Sequence, residues 1–194
     1  MTVAQNHAMS RSPRDSAASP AWSRAAAVGE LGLLERMLMT TDGTVTILLE
    51  QIVGEGITTS RLDHRAGRVD PGAAAALPYP MDRLLTRTTQ LVGTETGTVY
   101  VWATSVFCPG ALPARVRTGL LTLGEPIGKL LRQNRVESFR EILSIDLVDE
   151  RGQRRPRRRY VICIGGSPMV HIEETFTAEC FNAHEVAAAA APAG

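Results

Sequence analysis

Several features that announce common functions are scarce in this chain of 194 residues. Its three cysteines, Cys108, Cys163 and Cys180, are odd in number and show no CxxC spacing. They read as buried thiols of a reducing cytosol, which makes the expected location cytoplasmic. The four histidines form no HxxxH or similar ligand pair, so no metal site is expected. A formal net charge of +1 supplies no general attraction to nucleic acid or to an anionic membrane. No apolar run approaches the roughly 18 residues that cross a bilayer. Neither GxGxxG nor GxxxxGK(S/T) occurs, which removes the usual phosphate-cradling loops. There is no Ser/His/Asp signature for nucleophilic catalysis and no internal repeat.

What is present is globular material, 44% apolar and 21% charged, enough for one domain with a substantial core. Residues 1–28 are rich in Ala, Ser, Arg and Pro with a single acid, Asp15. That composition cannot build a core, so a disordered tail is expected, without the apolar segment of a secretory signal. The folded domain is expected over 29–182, and the Ala-rich 183–194 as a loose C-terminal tail. Leu31, Leu34, Met37 and Leu38 have helical spacing. Thr41-Asp42-Gly43-Thr44 then opens a second helix, Val45 to Ile52, capped by Thr44. Ile57 to Val69 reads as a polar strand, and the proline-bracketed segment 71–80 as a loop or lid. Leu84 to Val92 and Thr98 to Phe107 form a hairpin. Leu112 to Leu121 is helical, and Gly124-Glu125-Pro126 starts another short helix. In Phe139 to Val148, residues Phe139, Leu143, Ile145 and Leu147 share one strand face. Asp149 to Gly152 turns this strand back into Arg157 to Ile164. About six strands in consecutive hairpins, with helices before and between them, predict an α+β fold: a six-stranded antiparallel sheet with helices on one face.

The most informative stretch lies near the end. Tyr160 to Ile164 runs through Gly165-Gly166-Ser167-Pro168, a four-residue connection, into a returning strand from Met169 to Glu179. Alternation puts Val170, Ile172, Phe176, Ala178 and Cys180 on one face, and His171, Glu173, Thr175, Thr177 and Glu179 on the other. Glu174 falls among the apolar residues. A carboxylate facing a core is costly unless a cation or donors meet it. It is therefore half of a buried ion pair, a residue rotated outward by a bulge, or a ligand-facing group in a closed pocket. Arg87, in the strand Leu84 to Val92, offers a planar fork suited to a carboxylate. The run Arg154-Arg155-Pro156-Arg157-Arg158-Arg159 reads as a solvated hairpin end, although alternation can turn one of these arginines inward.

The order of these segments resembles the chorismate pyruvate-lyase family, in particular its actinobacterial branch. The resemblance rests on Asp42-Gly43-Thr44-Val45-Thr46 with Leu48-Leu49-Glu50; the Arg87 strand; Leu112-Pro113 with Glu125-Pro126-Ile127-Gly128; and Arg158-Arg159-Tyr160 through Gly165-Gly166-Ser167-Pro168 to Glu174-Thr175-Phe176. Residues 54–80 resemble no segment of that family. The resemblance implies the six-stranded fold, shared with effector-sensing domains of the UTRA type. It implies elimination of pyruvate from chorismate to give 4-hydroxybenzoate, with no cofactor and no metal. Arg87 would clamp the ring carboxylate, helped by the backbone amides of Val45 and Ile127, and Glu174 would face the ring hydroxyl. The alternatives are a non-catalytic domain binding an aromatic acid, UTRA-like, and an arginine-rich RNA-binding protein. Residues before 30 are too few and too Ala/Ser-rich to hold a helix-turn-helix. The expected partners are chorismate and the aromatic product, without nucleic acid or membrane, in a monomer or weak dimer.

Overall fold

The computed structural model describes residues 26–66, 69–150 and 152–182. The expectations for the two tails lie outside these residues, except that Ala26–Gly29 form one helical turn, α1. Six strands make a single antiparallel sheet: β1 (Ile57–Ala66), β2 (Leu85–Gly93), β3 (Val99–Phe107), β4 (Ser138–Glu150), β5 (Gln153–Ile164) and β6 (Ser167–Phe176). Their spatial order is β1-β2-β3-β6-β5-β4. Two three-stranded meanders therefore meet along their last strands, β3 against β6. The connection between the meanders carries α5 (Ala114–Thr118), a π-helical turn (Gly119–Leu123) and α6 (Ile127–Gln133). With α2 (Leu33–Thr40) and α3 (Val45–Val53), these elements cover one face of the sheet.

Strand alternation supplies the floor of this layer. Val101 and Phe107 of β3, Ile162 of β5, and Val170, Ile172 and Phe176 of β6 point into it and are fully or almost fully buried. They meet Leu38, Met39, Leu49 and Leu120 from the helices. Burying each such side chain contributes about 1.5–3 kcal/mol. Gly119 lies against Leu130 so closely that an added Cβ could not fit, which brings the π-helical turn onto α6.

Several local expectations are corrected. The connection between β5 and β6 is a two-residue turn, Gly165-Gly166, with both residues at positive φ (58° and 80°), and Ser167 and Pro168 already belong to β6. That conformation is open to glycine and twists with the strands. The strand β6 ends at Phe176 rather than Glu179. Thr177 then donates its hydroxyl to the Val99 carbonyl (2.9 Å), and the chain turns helical, burying Cys180 by a different route. In β4 a bulge inserts Leu143 between the pairs Ile142–Tyr160 and Ser144–Arg159. The bulge reverses the alternation, so Phe139 leaves the face of Ile145 and is exposed. The arginine run belongs to β5: Arg154, beside the turn, is exposed, and Arg158 is the arginine that turns inward. Pro156 is tolerated there because β6 pairs with β5 only from Arg157 onward.

Segment 71–80 is not a lid over the helical face. Its short helix α4 (Pro71–Ala75), capped by the Asp70 side chain accepting from the Ala73 amide (2.9 Å), sits on the opposite face. Ala73, Leu77 and Leu84 bury Val106 and Cys108 in a second small cluster. Tyr79 donates its hydroxyl to the Met169 sulfur, 2.8 Å away.

Candidate active site

Between the sheet floor and the starts of α3 and α6 lies a pocket with about 460 Å³ of empty space, mouth included. Its walls are apolar at Leu91, Ala103 and Ile172, and among the described residues they carry three charged side chains: Arg87, Glu174 and Arg140.

Arg87 is 2% exposed. The left-handed Gly124 (φ 68°) ends the π-helical turn and aims two carbonyls at it. Nη2 donates to the oxygens of Gly124 (2.8 Å) and Glu125 (3.0 Å). Nε is buried with no partner, and among the described residues no carboxylate pairs with this guanidinium. Burial without a counter-ion lowers its pKa to about 10. A fixed, dehydrated cation with an unused donor beside a cavity is a site for an anion.

Glu174 also stands where alternation put it, on the pocket wall and 6% exposed. Its counter-ion is Arg158, the inward member of the arginine run, whose Nε donates to Oε2 at 2.8 Å. Tyr160 donates its hydroxyl to Oε1 at 3.1 Å. Arg158 is fully buried; its Nη1 donates to the carbonyls of Leu38 (2.8 Å) and Thr41 (3.0 Å), and it lies 4.7 Å over the Tyr160 ring. Burial disfavours the Arg158 charge, but Glu174 outweighs it and raises the pKa. The Tyr160 hydroxyl is pushed up, by burial first and by the Glu174 charge second, so it remains a donor. Glu174 is thus half of a buried ion pair and also lines the cavity. A carboxylate has about four lone-pair positions, so two remain for a ligand.

Val45 and Ile127 are the first residues of α3 and α6, and both line the pocket. Amides in a first helical turn have no acceptor within the helix. The two helix starts abut: a Cβ on Gly128 would come 2.6 Å from Thr44 Cγ2. Lys129 ties them to the sheet, with Nζ 2.6 Å from Glu50 Oε1 and 2.8 Å from the Ile57 carbonyl. Burial raises the Glu50 pKa, but the Lys129 hydrogen bond and charge and the Ile57 amide outweigh this and lower it.

The structure therefore brings Arg87, Glu174, Val45 and Ile127 to one cavity. It adds Tyr160 and Arg140 to the lining and Arg158 behind Glu174, none of which the sequence reading assigned. Arg158 could have been selected by pairing its strand with Glu174, whereas Arg140 was hidden by the bulge. Among the described residues, no three His, Cys, Asp or Glu side chains converge as a metal site requires, and no helix is long and apolar enough to cross a membrane.

Comparison with known proteins covers the same region. A family model described as chorismate pyruvate-lyase Rv2949c-like matches residues 39–183. The chorismate pyruvate-lyase of Mycobacterium leprae (strain TN) is 27% identical over 158 residues, 76% of this chain and 75% of its own length. That of Mycobacterium tuberculosis (strain ATCC 25618 / H37Rv) is 24% identical over 161 residues, 76% of this chain and 81% of its own length. The crystal structure of PhnF from Mycobacterium smegmatis shares the fold, with a TM-score of 0.51 and 11% identity over 72% of this chain and 66% of that one. The family match spans every pocket residue from Thr44 to Glu174, and the chain belongs to the Rv2949c-like chorismate pyruvate-lyase family.

Proposed function

We propose that this protein is a chorismate pyruvate-lyase, converting chorismate to 4-hydroxybenzoate and pyruvate. The observation that carries this reading is the buried Arg87, without a carboxylate partner among the described residues and with an unused Nε, on the same cavity wall as Glu174. Arg87 takes the ring carboxylate, and the amides of Val45 and Ile127 assist it. Glu174 accepts a hydrogen bond from the ring hydroxyl, held in position by Arg158 and Tyr160. In the reaction the bond between the ring carbon and the enolpyruvyl oxygen breaks, and its electron pair leaves on oxygen. The neighbouring carbon, which bears the hydroxyl, loses its proton. The C–H pair completes the aromatic ring, while the departing enolate takes up a proton and becomes pyruvate. No electrons are gained or lost overall, and aromatisation drives the step without a cofactor. The protein's contribution is to hold a flexible dianion in the reactive conformer within a dry pocket, worth several kcal/mol.

The test is incubation of purified protein with chorismate in excess chelator. The expected products are 4-hydroxybenzoate and pyruvate in equal amounts. Loss of activity on chelation, restored by a divalent ion, would refute cofactor independence. Tight binding of chorismate without turnover would replace the lyase with an aromatic-acid binding domain.

A further inference from the structure

We infer that Arg140 is the clamp for the second carboxylate of the substrate, and so distinguishes the dianionic substrate from the monoanionic aromatic product. This rests on the lyase reading above for the identity of the ligand. Chorismate carries a ring carboxylate and a second carboxylate on the enolpyruvyl group. Arg87 can neutralise one of them. The Glu174 carboxylate is already matched by Arg158 (2.8 Å), so that pair has no net charge to offer. Among the described residues, the remaining charged side chain on the wall is Arg140. Its guanidinium touches neutral oxygens, the Asp42 carbonyl at 3.1 Å and the Thr44 hydroxyl at 3.5 Å, and no carboxylate pairs with it among the described residues.

Position agrees with charge. In the order β1-β2-β3-β6-β5-β4, the strand of Glu174 lies two places from the strand of Arg87 and two places from that of Arg140. Strands are about 4.8 Å apart and residues about 3.4 Å apart along them; Arg87 is level with Ile172 and Arg140 with Val170, so their backbones stand about 12 and about 17 Å from that of Glu174, and their long side chains reach the wall of the same cavity. The pocket floor thus reads cation, carboxylate, cation. Chorismate presents the complementary series: ring carboxylate, hydroxyl on the opposite ring carbon, and the enolpyruvyl ether on the carbon beside that hydroxyl. The Arg140 charge is also felt at the Tyr160 hydroxyl, the group that holds Glu174. Its inward direction follows from the Leu143 bulge, which sets Arg140 opposite Ile162 on the pocket face.

Two unreactive probes separate this role from a structural one. The diacid 3-(carboxymethoxy)benzoate has a ring carboxylate and an ether-linked second carboxylate; benzoate has only the first. Calorimetry should show that the wild type prefers the diacid. Arg140→Ala should weaken diacid binding about 10–100-fold, the effect of one charged hydrogen bond, and leave benzoate within about threefold. Arg140→Lys should recover part of the preference. A merely structural role would weaken both acids together, and that result overturns the proposal. So does an unchanged diacid affinity in Arg140→Ala, or a wild type that does not prefer the diacid. If the wild type turns over chorismate while Arg140→Ala keeps the preference, only the second clamp fails. If the preference behaves as described but chorismate is not consumed, only the lyase reading fails.

Discussion

Arg87 and Arg158 are both buried on the pocket face, 2% and 0% exposed, yet truncating them should have opposite consequences. Arg158 has a carboxylate partner at 2.8 Å, and Arg158→Met leaves Glu174 buried with its charge uncompensated. Breaking a buried pair from one side costs about 3–5 kcal/mol. For a domain of this size each kcal/mol shifts the melting temperature by about 2–4 °C, so a fall of about 6–20 °C is expected. Arg87 lacks such a partner among the described residues, and its depressed pKa, about 10 against the usual 12.5, corresponds to roughly 3 kcal/mol held against the charged form. Arg87→Met removes that penalty and forfeits the hydrogen bonds to Gly124 and Glu125, each about 1.5–3 kcal/mol. The unliganded protein should therefore lose between about 0 and 3 kcal/mol, less than Arg158→Met. The difference appears with ligand. At 100 times its Kd, 4-hydroxybenzoate stabilises the wild type by about 2.7 kcal/mol, and it should add nothing to Arg87→Met. Urea unfolding of the three proteins, with and without 4-hydroxybenzoate, reads both quantities. If Arg87→Met loses as much stability as Arg158→Met, or remains stabilised by 4-hydroxybenzoate, the assignment of Arg87 as an anion site is wrong.

Three further outcomes are expected. Glu174→Gln keeps volume and hydrogen bonding but leaves the buried Arg158 without its counter-ion, so turnover should fall about 10²–10⁴-fold and stability by about 3–5 kcal/mol, as in Arg158→Met; a fully active variant would remove Glu174 from the chemistry. Glu55 accepts from the amides of Glu95 (2.8 Å) and Thr96 (3.1 Å) and from the hydroxyls of Thr96 (2.7 Å) and Tyr100 (2.8 Å). The Thr96 hydroxyl leads in lowering its pKa from 4.5 to about 2, with the two amides and Tyr100 adding to it against burial. Because the folded-state pKa is depressed, this stabilisation is present above pH 4.5 and is lost as pH falls towards 2. Acid titrations of wild type and Glu55→Gln should therefore converge over that interval, and parallel curves would show that the carboxylate contributes nothing. Gly128→Ala places a methyl against Thr44 and should cost about 1–3 kcal/mol, with a raised KM because the two helix starts are pushed apart; an unchanged KM would mean that their spacing does not shape the pocket.

The sequence by itself determined what is local. Period-two alternation put Glu174 among apolar residues, and turn residues marked six strands in hairpins. Arg87, in the middle of a strand between apolar segments, had no evident reason to be there unless an anion or water met it. Each of these signals is contained within about ten residues, the range over which strand parity and turn chemistry act. The tertiary structure decided what depends on distant pairing. The meeting of β3 with β6 set Glu174 midway between the strands of Arg87 and Arg140. Pairing of β5 with β6 selected Arg158, from three consecutive arginines, as the counter-ion. The Ala-rich helix α4 went to the far face, where Val106 and Cys108 needed cover. The bulge at Leu143 is the sharpest case. One extra residue reverses the parity of everything before it, turning Phe139 to solvent and Arg140 to the cavity. Alternation read along β4 alone gives the opposite answer, because the register of a strand is fixed by the partner it pairs with and not by its own sequence.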